Sequence, residues 1–159
     1  MDKEKSPSDN PKDHMLYNYI LKLLNPDENR ARTEVIVGST IIEELTKFIA
    51  EKKATDVTVE NIRIKKHLYG HAGTLEILRQ DNLISQELYQ GLLILHRLRN
   101  KAAHNVNFQV PIADISKLSL LFKREEKQVP YIFMWAILLL CNDHKKILTP
   151  KYLPRKTEK

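Results

Sequence analysis

The sequence predicts an all-α protein, an antiparallel bundle of five to six helices. Three observations carry that expectation. The 159 residues include only four glycines, the aromatic share is 7%, and Leu, Ile, Lys and Glu dominate, a composition of strong helix formers. Apolar residues recur at three- and four-residue spacing through most of the chain. Prolines stand where helices start rather than inside them. A chain of this length with 42% hydrophobic residues builds one core, so a single domain is expected over 13–148. A disordered polar tail (1–12) precedes it and a basic tail (149–159) follows.

Residues 1–12 are charged and proline-punctuated, which leaves them without enough apolar surface to fold. The segment 14–24, "HMLYNYILKLL", places Leu16, Tyr19, Ile20, Leu23 and Leu24 on one helical face. "NPDEN" ends it and starts a second helix over about 27–53, with Asn25 as cap and Pro26 in the first turn. There Ile41, Leu45 and Phe48 form one stripe and Ile42, Leu45 and Ile49 its neighbour, a face wide enough to pack on two helices. Residues 52–73 lack a clean period and contain Gly70 and Gly73, so a loop with a short internal helix is expected. A short helix over 74–82 follows, capped by Thr74. The long segment 83–104, "LISQELYQGLLILHRLRNKAAH", has Ser85 in capping position three residues before Leu88. "PIADISKLSLLFK" and "PYIFMWAILLLCNDHKKIL" complete the bundle, opened by Pro111 and Pro130.

Charge and cysteine usage narrow the function classes. The net charge is +6, and most of it lies in Lys145, Lys146, Lys151, Arg155, Lys156 and Lys159. Such a tail can hold a polyanion by counterion release, which makes Lys145, Lys146, Lys151, Arg155 and Lys156 candidate nucleic-acid contacts. Cys141 is the only cysteine, which rules out an internal disulfide and fits a reducing cytoplasm. The longest apolar run, Tyr131 to Cys141, has 11 residues, and a bilayer span needs about 20. A core helix is expected there, with Tyr131, Phe133 and Trp135 inside it rather than stacking on bases. No membrane partner and no secretory signal is expected. "HLYGH" spaces His67 and His71 as helical metal ligands would be, but Gly70 interrupts them and no carboxylate has the zincin spacing. No metal and no cofactor is assigned. Phosphate-binding glycine loops, nucleophile elbows and kinase signatures are absent.

The end of segment 83–104 carries the chemistry. On a helical wheel His96, Arg99, Asn100, Ala103 and His104 share one arc, and that arc continues the stripe of Leu92 and Leu93 one turn earlier. Polar groups on a burial stripe need partners. Because Leu92, Leu93, Ile94 and Leu95 point in nearly every direction, the helix is expected to be buried all round, as at a homodimer axis.

"RNKAAH", Arg99 to His104, resembles the R-x4-H motif of the HEPN superfamily. The stretch "YGHAGTLEILRQDNLISQELYQGLLILHRLRNKAAHN" is similar to the mannitol operon repressor branch, the likeness covering roughly residues 34–140. The resemblance implies a helical homodimer. In many members it implies a metal-independent endoribonuclease used as a toxin or in phage defence; in others, a regulator. Carried over, Arg99 and His104 are the catalytic pair and Asn100 is the polar accessory; His96, one turn before the motif and outside it, could extend the site. A histidine titrating near neutrality can move protons and a guanidinium can hold two phosphate oxygens, which is the chemistry that 2′-hydroxyl attack needs. RNA and an antitoxin or regulatory protein are the expected partners. The competing expectation is a non-catalytic regulatory module acting through protein contacts. A basic recognition helix for DNA is not evident.

Overall fold

The computed structural model describes residues 30–64, 70–105 and 108–152. The expected helix at 14–24, the N-terminal tail, His67, Arg155 and Lys156 lie outside them. All of the described secondary structure is helical, as expected: α1 (Arg30–Lys53), α2 (Asp56–Ile64), α3 (Gly70–Gln80), α4 (Gln86–His104), α5 (Ile112–Phe122), α6 (Val129–Asp143) and α7 (Lys145–Tyr152).

The centre of the bundle is α1 against α4. α6 and α3 also pack on α1, and α3, α5 and α6 on α4. The buried face of α1 is Val35, Ile42, Leu45 and Ile49, whereas Ile41 stays 43% exposed. Of the two apolar stripes in this segment, the one through Ile42 and Ile49 makes the core, and Phe48 is only partly covered. α4 contributes Leu88, Leu92, Ile94, Leu95, Leu98 and Ala102 to the same core, with Leu93 packed at its edge. One chain therefore satisfies the burial that suggested a partner on this helix. The neighbours α1, α3, α5 and α6 wrap it from enough directions that no second subunit is required for that purpose.

Local signals account for most helix starts. Ser85 Oγ accepts from the Leu88 backbone N–H at 3.1 Å, the expected cap for α4. Pro111 is the residue before α5, and Pro130 sits in the first turn of α6. α3 differs from expectation. It begins at Gly70, whose φ of 67° is open to glycine without steric cost. Thr74 is inside the helix, its hydroxyl donating back to the Gly70 carbonyl at 3.4 Å, so it caps nothing. That shift draws His71 into the first turn of α3. The Asp81 carboxylate, just past the far end of α3, binds the Thr55 backbone N–H and the Thr58 hydroxyl and so anchors the start of α2. Glu76 and Tyr89 tie α3 to α4 through a 2.7 Å hydrogen bond.

The last expected helix is two. α6 stops at Asp143 because His144 leaves helical geometry (φ −124°, ψ 25°) and turns its ring inward. Nε2 donates to the Leu83 carbonyl at 2.8 Å, and Nδ1 accepts from Lys53 Nζ at 3.0 Å. α7 then carries the chain to Tyr152, past the expected start of the basic tail. Within α6, Phe133 is core and Trp135 is partly covered, with the Arg124 guanidinium 4.5 Å from its ring centre; Tyr131 is 46% exposed. The aromatic run is thus core in part.

His144 gives the fold a pH dependence. Burial holds its pKa below the ordinary histidine value, with Lys53 acting in the same direction against the opposing pull of Leu83 and Asp143. A proton on Nδ1 would face the lysine ammonium. The unfolded chain takes up a proton near pH 6.5 and the folded chain only lower, so this contribution is complete above that pH and is lost as pH falls. Urea midpoints should decrease from pH 7.5 to 5.5, and His144→Gln should make the slope shallower without abolishing it, since His71 and His96 are shifted in the same direction. An equal slope in the variant would remove His144 as its source.

Candidate functional site

The polar arc of α4 opens progressively towards the helix end. His96 and Arg99 are half-buried, Asn100 and His104 exposed. Two of the expected groups engage one another directly: Arg99 Nη1 donates to Asn100 Oδ1 at 3.3 Å. That bond fixes the amide orientation, so Asn100 Nδ2 is the donor to His96 Nε2, also at 3.3 Å. Asn100 therefore bridges the guanidinium and the imidazole. His104 stands one turn beyond this chain of contacts, at the C-terminus of α4.

The backbone at this end is held from α1. Arg32 Nε donates to the Ala102 carbonyl at 2.6 Å and its Nη2 to the Ala103 carbonyl at 3.3 Å. These carbonyls have no partner within the helix, and a cation at this end also suits the helix dipole. Arg32 thereby fixes the helical turn between Arg99 and His104 and brings a second guanidinium to it.

Two further residues complete the site, and neither was expected there. Glu43 on α1 places Oε1 4.0 Å from Arg99 Nε and 3.7 Å from His71 Nδ1. The His71 ring meets that of His96 edge-on, with centres 5.3 Å apart, and its Nε2 lies 3.1 Å from Thr46 Oγ1. The Thr46 hydroxyl has one proton, and its shorter contact is to the Ile42 carbonyl at 2.7 Å. Its oxygen therefore accepts from His71 Nε2–H.

Although Glu43 is near His71, the two do not form an ion pair. Burial, with His96 and Arg99 nearby, lowers the His71 pKa to about 4, and 3.7 Å is long for a hydrogen bond. The ring is neutral. Burial also lowers the His96 pKa; Arg99 adds to the shift and Glu43 opposes it. The site thus holds a permanent cation, a carboxylate and two neutral imidazoles where α1, α3 and α4 meet.

The expected nucleic-acid lysines lie elsewhere in the chain. Lys145 and Lys146 are exposed at the start of α7 and Lys151 falls within the same helix. A separate open cavity of about 640 Å³ lies at the other end of α4, lined by Lys53, Ser85, Gln86, Asp143 and His144 among others. It includes none of the arc residues.

His71 was passed over because Gly70 breaks its spacing with His67, and Glu43 because nothing near it in sequence suggests chemistry. One signal could have found Glu43. It and Thr46 are polar residues one turn apart beside the apolar stripe of α1, the same irregularity that singles out α4. Compared with protein-family models, curated proteins and solved structures, the chain matches none.

Proposed function

We propose that this chain is an HEPN-like, metal-independent endoribonuclease of the toxin or phage-defence type. The observation that carries the reading is Arg99. Its guanidinium is half-exposed, oriented by Asn100, and set on the same helical arc as His96 and His104. Arg99 binds the scissile phosphate and stabilises charge on its oxygens. His104 acts as general acid or base, and the neutral state of His96 suits an accessory base. The 2′-hydroxyl attacks the adjacent phosphorus, the 5′-oxygen leaves with a proton, and a 2′,3′-cyclic phosphate remains; DNA lacks the nucleophile. Pairing of two such arcs in a homodimer would supply both proton-transfer groups.

The test is end-labelled RNA in excess chelator, with wild type and His104→Ala side by side. Wild-type cleavage to 2′,3′-cyclic ends, a loss of about 10²- to 10⁴-fold in the variant, and no cutting of the matching DNA are expected. Intact RNA with the wild type would overturn the reading.

A second reading, a regulatory module working through protein contacts, is favoured by the outer face of α6. There Tyr131, Met134 and Leu138, all exposed, repeat at helical spacing as a contact stripe. Cross-linked complexes lost on Met134→Lys, with RNA left uncut, would support it.

A further inference from the structure

Glu43 and His71 have no part in RNA cleavage by Arg99 and His104, and with His96 they form a second arrangement. The Thr46 hydroxyl fixes His71 as the Nε2–H tautomer, so Nδ1 carries a bare lone pair. The His71 side chain is only 7% exposed, and the group facing Nδ1 is Glu43 Oε1 at 3.7 Å. Two hydrogen-bond acceptors opposed in this way repel unless a donor or a cation lies between them. Nδ1 of His96, which carries the ring hydrogen while Nε2 accepts from Asn100, is also buried, and neither Nδ1 atom has a hydrogen-bond partner among the described residues. One nitrogen from each ring and one Glu43 oxygen lie within 4.8 Å of one another.

We propose that Glu43, His71 and His96 bind a divalent transition-metal ion of the zinc class. Two imidazoles and a carboxylate are donors suited to zinc, cobalt and nickel rather than to magnesium or calcium, which prefer oxygen alone. Side-chain rotations must bring the donors to about 2.0–2.2 Å from the ion, and three protein ligands leave a fourth position for water. Thr46 acts as an outer partner, holding the His71 ring through the nitrogen that does not ligate. The ion would cross-link α1, α3 and α4. It would also act on Asn100. With metal on Nδ1 of His96, Nε2 carries the hydrogen, and the Asn100 amide must turn its oxygen to accept it, giving up Arg99. The proposal does not rest on the RNA-cleaving reading.

Chelator-stripped, desalted full-length protein titrated with Co²⁺ provides the test. Visible d–d absorption of tetrahedral or five-coordinate cobalt should saturate at one equivalent per chain and vanish on adding Zn²⁺. Glu43→Gln keeps the side-chain shape at a partly exposed position and should fold, as circular dichroism will report. Glu43→Gln and His71→Gln should each weaken Co²⁺ affinity at least about tenfold, whereas His67→Gln should leave it unchanged. Absence of the absorption, its persistence at wild-type affinity in both cluster variants, or its loss in His67→Gln would overturn the site. Because no RNA is present, the outcome is independent of whether the protein cleaves RNA.

Discussion

Gly38→Ala should destabilise the fold by about 2–3 kcal/mol net, even though alanine is the better helix former by about 1 kcal/mol. Gly38 is buried on α1, where α6 crosses it. A Cβ there would overlap the Phe133 ring and lie 2.9 Å from Phe133 Cβ. The ring could turn away, but Cβ is fixed to the α6 backbone, so the helices themselves must separate. Phe133 is 3% exposed and has little space into which to retreat. For a chain of this size the loss corresponds to a fall of roughly 4–12 °C in melting temperature. Urea denaturation at neutral pH measures it.

Gly91 provides the internal comparison. Its added Cβ would meet the edge of the Phe122 ring, with Cζ at 2.6 Å. That end of the side chain swings on χ1 and χ2, so Gly91→Ala should cost clearly less than Gly38→Ala. Equal stability of Gly38→Ala and wild type would show that α1 and α6 can part freely. A double-mutant cycle with Phe133→Ala should show strong positive coupling, because removing the ring relieves the overlap it causes.

The two glycines also show what could be read from the sequence. Helical period, the Ser85 cap and the positions of Pro111 and Pro130 are local features, and the helices they mark stand close to where expected. Departures occur where a distant contact decides. α6 ends at Asp143 because His144 finds the Leu83 carbonyl and Lys53, neither of which is near it in sequence. α3 starts at Gly70 although glycine with positive φ more often ends a helix. Nothing local distinguishes Gly38 as a crossing point from a glycine merely tolerated in a helix.

The site divides in the same way. Arg99, Asn100 and His96 share one helix, so a wheel drawn from the sequence brings them together. Glu43 and His71 reach them only through the packing of α1 and α3 on α4. Arg32 was invisible for the same reason, since the carbonyls it caps lie some seventy residues further along the chain. The apolar residues on every side of α4 are covered by α1, α3, α5 and α6 of the same chain. Burial of that helix therefore does not by itself call for a second copy, because sequence alone does not tell neighbours within one chain from those of another.

On the proposed RNA-cleaving role, Arg99→Ala should reduce cleavage by about 10²- to 10³-fold, mainly in kcat, with little change in melting temperature. The side chain is 40% exposed, and its contacts to Asn100 at 3.3 Å and Glu43 at 4.0 Å are those of a surface group. Such contacts are worth at most about 1 kcal/mol each. Arg99→Lys should recover only a small part of the activity. A lysine carries the charge but has one nitrogen, so it cannot meet Asn100 and Glu43 while presenting a planar pair of donors to phosphate. Arg32→Met separates position from charge. It leaves Arg99 in place but uncaps the Ala102 and Ala103 carbonyls, so its first effect should be on stability. The Arg32–Ala102 bond is partly buried and the Arg32–Ala103 bond exposed, so the loss should be about 1 kcal/mol. If Arg99→Ala instead lowered the melting temperature as far as Arg32→Met and left cleavage intact, Arg99 would be a structural tie between α4 and α1, and phosphate binding would have to be sought elsewhere.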